Sequence, residues 1–290
     1  MDPSIYQSWL IGLGVGTLIA AVVGGVFLKA KGSQDARAFA VKVGSLWPGA
    51  LMLGVAAVAG WVGLMGVPRW PATASDDRLG WVFMLVTVIS VFAGLLQRSF
   101  AVRMGLAVLA AVFAVAFTMY SPSTGLSALG GKMTAIAIGV AGVLLGGGAL
   151  CGVEWRDRRV GAAVILTGMA LAIGASMMGS GSSKLGFMAW SLVPAGAIAV
   201  LICALRKGAA IGTAGIMCAA CVLGATVVVG YTYSELKPVS AAIFALCPVL
   251  ALVADATLTP ILKPRMSAAL VVLAAAIPAA VAIGLSVRFE

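Results

Sequence analysis

Apolar residues gather into ten long runs, near 9–28, 46–66, 79–96, 100–120, 133–152, 159–178, 187–205, 210–230, 238–254 and 267–286, and polar residues are confined to the short connections between them. A helix needs about 20 apolar residues to cross the hydrocarbon core of a bilayer. The pattern therefore predicts an all-α, polytopic transmembrane helix bundle of about ten spans, forming one membrane-embedded domain over 1–290. The third and fourth runs are parted only by Gln97-Arg98-Ser99, and the ninth is short and holds Pro248, so a count of eight or nine spans fits the same pattern. No polar stretch is long enough to form a domain outside the membrane.

The polar positions set the sides. One set of alternate connections holds Lys29, Lys31, Arg37, Lys42, Arg98, Arg103, Arg156, Arg158, Arg159, Arg206, Lys207, Lys263 and Arg265, thirteen in all; the other, with both termini, holds Arg69, Arg78, Lys132, Lys184, Lys237 and Arg288, six in all. Short basic loops are retained in the cytoplasm, so the first set is expected inside a cytoplasmic (inner) membrane and both termini outside. Tyr6, Trp9, Trp81, Tyr120, Trp190, Tyr231 and Tyr233 fall at run ends on the expected external side, as an interfacial aromatic belt would. No basic residue precedes the first run, and Lys29 and Lys31 follow it, which reads as a retained N-outside span rather than a cleaved signal peptide.

Composition then narrows the chemistry. The chain is 62% hydrophobic and 10% charged, against about 25% charged for a soluble domain. With no histidine there is no Ser-His-Asp triad, no imidazole metal ligand and no histidine proton relay; no metal and no cofactor is expected. Nearly all nine carboxylates fall between runs, and Asp255 alone reads as lying within one. That distribution does not fit a carboxylate-rich ion pump, and Asp255 with its nearby Thr and Lys is too little for an enzyme. The net charge of +10 is divided among membrane loops and points to topology rather than to a nucleic-acid partner. Lipid is the expected surrounding, with anionic headgroups meeting Arg156, Arg158 and Arg159. Cys151 and Cys203 lie near cytoplasmic run ends and Cys218, Cys221 and Cys247 within runs; a disulfide framework is not expected, and Cys218-Ala-Ala-Cys221 reads as two small packing residues.

Glycine is abundant, at 37 residues, and recurs at helical spacing in Gly12 and Gly16, Gly142 and Gly146, and Gly148 and Gly152. Small residues four apart let helix backbones approach closely in lipid, so the fifth span is expected inside the bundle, packed through those four last positions. Ten spans divide into halves 1–153 and 154–290, which an odd number per half would relate as a 5+5 inverted repeat. Ser45-Leu46-Trp47-Pro48-Gly49-Ala50 in the second span and Ser191-Leu192-Val193-Pro194-Ala195-Gly196-Ala197 in the seventh are the local match between them. In length and five-plus-five layout the chain resembles the drug/metabolite transporter superfamily, whose termini are expected in the cytoplasm, opposite to the reading above; no residue roles are carried over.

Pro248 and Pro278 lie near mid-membrane in the ninth and tenth spans. Proline has no N–H to donate, which frees the carbonyls of Phe244 and Ala274, and freed carbonyls at the midplane can hold a polar group of a substrate. Asp255 lies seven residues beyond Pro248, so both fall on about the same helix face, near the cytoplasmic end where Lys263 or Arg265 could pair with it. Substrate contact is therefore expected at Asp255, Pro248, Pro278, Phe244 and Ala274. Gly179-Ser180-Gly181-Ser182-Ser183 looks like a phosphate-binding turn but lacks the Gly-Lys-Ser/Thr ending and reads as a flexible external loop. Two functions fit these features: a carrier for a small apolar or amphipathic molecule, or a non-catalytic structural or assembly subunit that meets other membrane proteins through its small-residue faces.

Overall fold

A computed structural model of the chain describes residues 7, 10–18, 21–23, 47–68, 72, 74–96, 100–120, 132–156, 158–205, 209–233 and 236–287. Among the expected features, Tyr6, Trp9, Lys29, Lys31, Arg37, Lys42, Arg69, Arg98, Arg206, Lys207 and Arg288 lie outside the described residues. The described residues form α-helices and no strand: α1 Trp47–Met65, α2 Ser75–Leu95, α3 Phe100–Met119, α4 Met133–Trp155, α5 Arg159–Gly179, α6 Ser183–Trp190, α7 Leu192–Leu205, α8 Thr213–Tyr233, α9 Pro238–Leu258 and α10 Pro264–Ser286. Residues 10–18 and 21–23 are also helical. Among the described residues eight helices are long and apolar enough to cross a membrane, with α6 and α7 together counted as one of them. The apolar part of α3, Met104–Met119, is shorter. The chain is thus an all-helical membrane bundle; the second to sixth and eighth to tenth expected runs each coincide with a helix, the seventh with α6 and α7 together, and the first is described only in part.

Local chemistry sets several boundaries. Pro238 and Pro264 open α9 and α10 behind extended Lys237 and Lys263, the position where a missing N–H costs a helix nothing. The seventh run is interrupted at Ser191: Pro194 cannot donate to the carbonyl of Trp190, and the Ser191 hydroxyl donates instead to the carbonyl of Met188 at 2.6 Å. Helix α1 passes directly over this break, since a Cβ on Gly60 would lie 2.1 Å from that of Ser191.

Helix α8 is the most deeply buried span. It packs against α1, α2, α3 and α4 through small side chains, with Cys218, Ala219, Cys221, Val222 and Ala225 all fully buried. Close approach replaces the hydrophobic effect as the main attraction between helices in lipid, and the glycines show where it happens. A Cβ on Gly49 would meet the carbonyl oxygen of Ile211 at 1.9 Å, and one on Gly12 the carbonyl oxygen of Ala59 at 2.5 Å. On α4 the expected glycine face is turned toward α9: Gly142 faces Ala245, Gly146 faces Ala245 and Pro248, and Gly152 faces Leu252. Gly148 departs from the expectation and borders open space, while a Cβ on its neighbour Gly147 would lie 2.6 Å from the sulfur of Met217 on α8. Because α4 is held from two directions, by α8 and by α9, two different glycine ladders are used on one helix.

Helices α4, α9, α10 and α5 pack in that order around a ring, α5 returning to α4, while α5 and α9 barely meet across it. This is the neighbour pattern of a four-helix bundle, and it forms the half of the molecule that holds the site residues.

Candidate functional site

Polar contacts join the helices of the ring at both ends. At one end Asp255, the last buried residue of α9 and 1% exposed, receives Nε of Arg158 at 3.2 Å and the Thr259 hydroxyl at 2.8 Å, both on Oδ1. Arg156 lies 4.0 Å from Oδ2. Nη2 of Arg158 reaches on to the hydroxyl of Ser267 at 2.5 Å and to that of Thr259 at 3.4 Å. One guanidinium, in the α4–α5 connection, thereby ties together the end of α9 and the start of α10. Its planar fork of donors suits this work, which a lysine could not reproduce.

At the other end the hydroxyl of Ser286 donates to the carbonyl of Ala282 at 2.8 Å and lies 3.1 Å from the hydroxyl of Ser240, which bonds the same carbonyl at 3.2 Å. Gly179 of α5 abuts the carbonyl of Ser286. Three residues earlier on that side of α5, the hydroxyl of Ser176 is fully buried and has no partner among the described residues. Serines 176, 240 and 286 are thus all buried toward one end of the ring.

Between these closures lie the two prolines. Ser240 stands opposite Ala282, so four residues inward Phe244 comes level with Pro278, and eight residues inward Pro248 comes level with Ala274. The two interruptions in backbone hydrogen bonding therefore fall at matching depth. Phe244 and Pro248 are buried, with Cys247 and Ala251 beside them. Pro278 and Ala274 are half-buried, next to the buried stripe Ser267, Val271, Ala275, Ala279, Ala282 and Ser286. The structure brings Asp255, Pro248 and Phe244 inside and leaves Pro278 and Ala274 at the margin of the hairpin.

Three expectations are corrected here. Asp255 pairs with Arg158 and Arg156 across the bundle, not with Lys263 or Arg265 on its own hairpin; the charge is drawn inward, and only the α4–α5 connection faces it there. Arg158 in consequence is directed into the protein rather than to lipid headgroups, while Arg156 remains half-exposed. Finally, Asp255 is not the lone carboxylate within a helical span. Because α4 continues to Trp155, Glu154 is carried beneath the chain entering α8, where it is 4% exposed and accepts the amide N–H of Gly212 at 3.0 Å. Gly212 presents that N–H from a left-handed conformation, φ 80°.

The five cysteines are all buried and free of disulfides, and no cluster of metal-ligating side chains occurs among the described residues. Trp190 also differs from a simple interfacial anchor: its indole fills the notch at Gly174 and donates to the carbonyl of Leu171 at 3.0 Å. Sequence reading placed Arg158 among loop residues facing lipid and missed its pairing with Asp255, and it missed Ser267, Glu154 and the three serines. A serine near the end of each of three apolar runs was the available signal for the last group. No protein-family model and no curated protein sequence matches the chain.

The closed ends use the same two sides throughout. Arg158, Asp255, Ser267, Glu154 and Gly212 gather at one end of the bundle. Gly179, Ser240 and Ser286 gather at the other, and Lys132 reaches the carbonyl of Met119 at 3.4 Å where α3 ends and α4 begins. Among the described residues, the connections that carry Arg156, Arg158, Lys263 and Arg265 lie at the first end and those that carry Lys132, Lys184 and Lys237 at the second.

Proposed function

We propose that the chain is a carrier for a small apolar or amphipathic molecule in the cytoplasmic membrane, with its basic end inside and both termini outside, and that the substrate passes within the α4–α5–α9–α10 ring. The observation that carries this reading is the pairing of two proline interruptions at matching mid-depth between polar closures at either end. Irregular backbone is tolerated at membrane depth only against protein or a cavity, and carriers place substrates near the midplane at interrupted helices. The freed carbonyls of Phe244 and Ala274 offer acceptors for a hydroxyl or amide, and the neighbouring side chains of Ala251, Ala275 and Ala279 are small and apolar. Asp255 and Arg158 form the inner closure and the serines the outer one. With the buried carboxylates already engaged, Asp255 by Arg158 and Glu154 by the Gly212 amide, strongly charged substrates are disfavoured.

Flux into proteoliposomes tests this. A panel of uncharged fluorescent amphipaths should include compounds that enter vesicles containing the protein faster than empty ones. Pro248→Ala, which restores a donor to the Phe244 carbonyl, should slow that entry while leaving thermal stability within about 1 kcal/mol of wild type. Equal flux through empty vesicles, wild type and variant across the panel would oppose the carrier reading.

A further inference from the structure

One short segment of chain holds both of the buried carboxylates at the basic end. Glu154 lies in the last turn of α4, and Arg158 is the residue from which α5 starts; only Trp155, Arg156 and Asp157 separate them. The backbone on either side of that segment is pinned. The amide of Arg156 donates to the carbonyl of Gly152 at 3.3 Å, and the carbonyl of Arg158 accepts the amide of Ala162 at 2.8 Å. A displacement at one edge of so short a connection is therefore passed to the other.

The two grips reach in different directions. Arg158 holds Asp255, Thr259 and Ser267, at the end of α9 and the start of α10. Glu154 holds the amide of Gly212 in the chain entering α8. That chain is in turn pressed against the start of α1: a Cβ on Gly49 would lie 1.9 Å from the carbonyl oxygen of Ile211, and one on Gly215 would lie 2.8 Å from the carbonyl carbon of Gly49. Arg159, next to Arg158, acts electrostatically on Glu154. Adjacent arginines thus serve the two carboxylates, one in each direction. Asp255 is 1% exposed and Glu154 4%, and a carboxylate at that depth is costly unless it is engaged. Each grip therefore favours the one placement of the connection that the other also requires.

We propose that the α4–α5 connection is an interlock: the grip of Arg158 on α9 and α10 and the grip of Glu154 on the entry to α8 stabilise each other, so that release of either loosens both. The inference stands apart from the carrier reading, since it concerns the mutual support of two contacts and not the passage of a substrate. A coupling of this kind is reciprocal by thermodynamic necessity, and it is shown by perturbing each contact and reading the other rather than by proximity.

The test is hydrogen–deuterium exchange of the full chain in detergent, which reads local opening amide by amide. Arg158→Ala should speed exchange of the Gly212 amide about fivefold or more, and Glu154→Ala should speed exchange of the Thr259 and Ser267 amides by a similar factor. Ser240→Ala, which removes a hydrogen bond at the opposite end of the ring, should leave all three amides at their wild-type rates. Arg158→Lys, which keeps the charge and loses the fork, and Glu154→Gln serve as readouts in the same direction if an alanine variant does not fold. Wild-type exchange at Gly212 when Arg158 is replaced, or at Thr259 and Ser267 when Glu154 is replaced, overturns the proposal. So does an equal acceleration by Ser240→Ala, which would mean a general loosening of the bundle.

Discussion

Replacing Arg158 with alanine should destabilise the bundle far more than loss of a loop arginine ordinarily does. Exposed ion pairs contribute about 0–1 kcal/mol, and hydrogen-bonded pairs between membrane helices average about 0.6 kcal/mol because the unfolded chain in lipid also finds partners. Arg158 differs because its partner is buried: Asp255 is 1% exposed. Its removal leaves a carboxylate without its nearest cation, for which about 3–5 kcal/mol is typical. Two features reduce that figure. The Thr259 hydroxyl still donates to Oδ1 at 2.8 Å, and Arg156, at 4.0 Å and half-exposed, can move closer. We expect about 2–4 kcal/mol for Arg158→Ala. The double variant Arg158→Ala with Asp255→Ala should lie at least about 1 kcal/mol above the sum of its parts, because it removes the stranded charge as well as its partner. Reversible unfolding in mixed detergent micelles, followed by tryptophan fluorescence, measures all corners of the cycle. A single-variant cost near 0.5 kcal/mol with additive behaviour would mean that Asp255 is solvated and that no closure exists at this end.

Three further outcomes follow from the packing. Gly49→Ala places a Cβ 1.9 Å from the carbonyl oxygen of Ile211, whereas Gly146→Ala meets nothing nearer than 3.6 Å; thermal unfolding should show the first to be costlier by about 2 kcal/mol or more, and equal costs would contradict the contact of α1 with the chain entering α8. Glu154→Ala should cost about 1–3 kcal/mol by leaving the Gly212 amide without its acceptor, while Glu154→Gln keeps an acceptor oxygen and should lose less; the reverse order in the same assay would count against that bond. Single cysteines at Ile261 and Ser182, in a background without native cysteines, should react with an impermeant maleimide from opposite faces of the membrane, Ser182→Cys in intact cells and Ile261→Cys only in inverted vesicles.

Most of the helical layout was legible because span length and loop charge are local properties, and ten apolar runs with alternating basic connections leave few arrangements. The glycine stripe of α4 was legible too, as periodicity. Which glycine meets which neighbour was not. Gly146 and Gly147 differ by one residue and face different helices, a distinction that depends on where α8 and α9 stand. Pro248, Phe244 and Asp255 were recognisable from residue type within an apolar run. The partner of Asp255 was not, because Arg158 lies 97 residues away in sequence and looked like every other loop arginine. Glu154 escaped notice for a related reason: a helix that continues one turn past its apolar run turns an apparent loop carboxylate into a buried one.

A carrier must open its ring to each side in turn, and Ala251 is the position to watch, since it is wholly buried between Pro248 and Asp255. Ala251→Cys, in a background with the five native cysteines replaced by alanine, should react slowly with an impermeant maleimide in right-side-out vesicles and also in inverted ones. Arg158→Ala should raise the rate in the inverted vesicles alone, because it loosens only the basic end. Failure to label from either side, in wild-type and Arg158→Ala backgrounds alike, would contradict a carrier and make a structural subunit the better description of this chain.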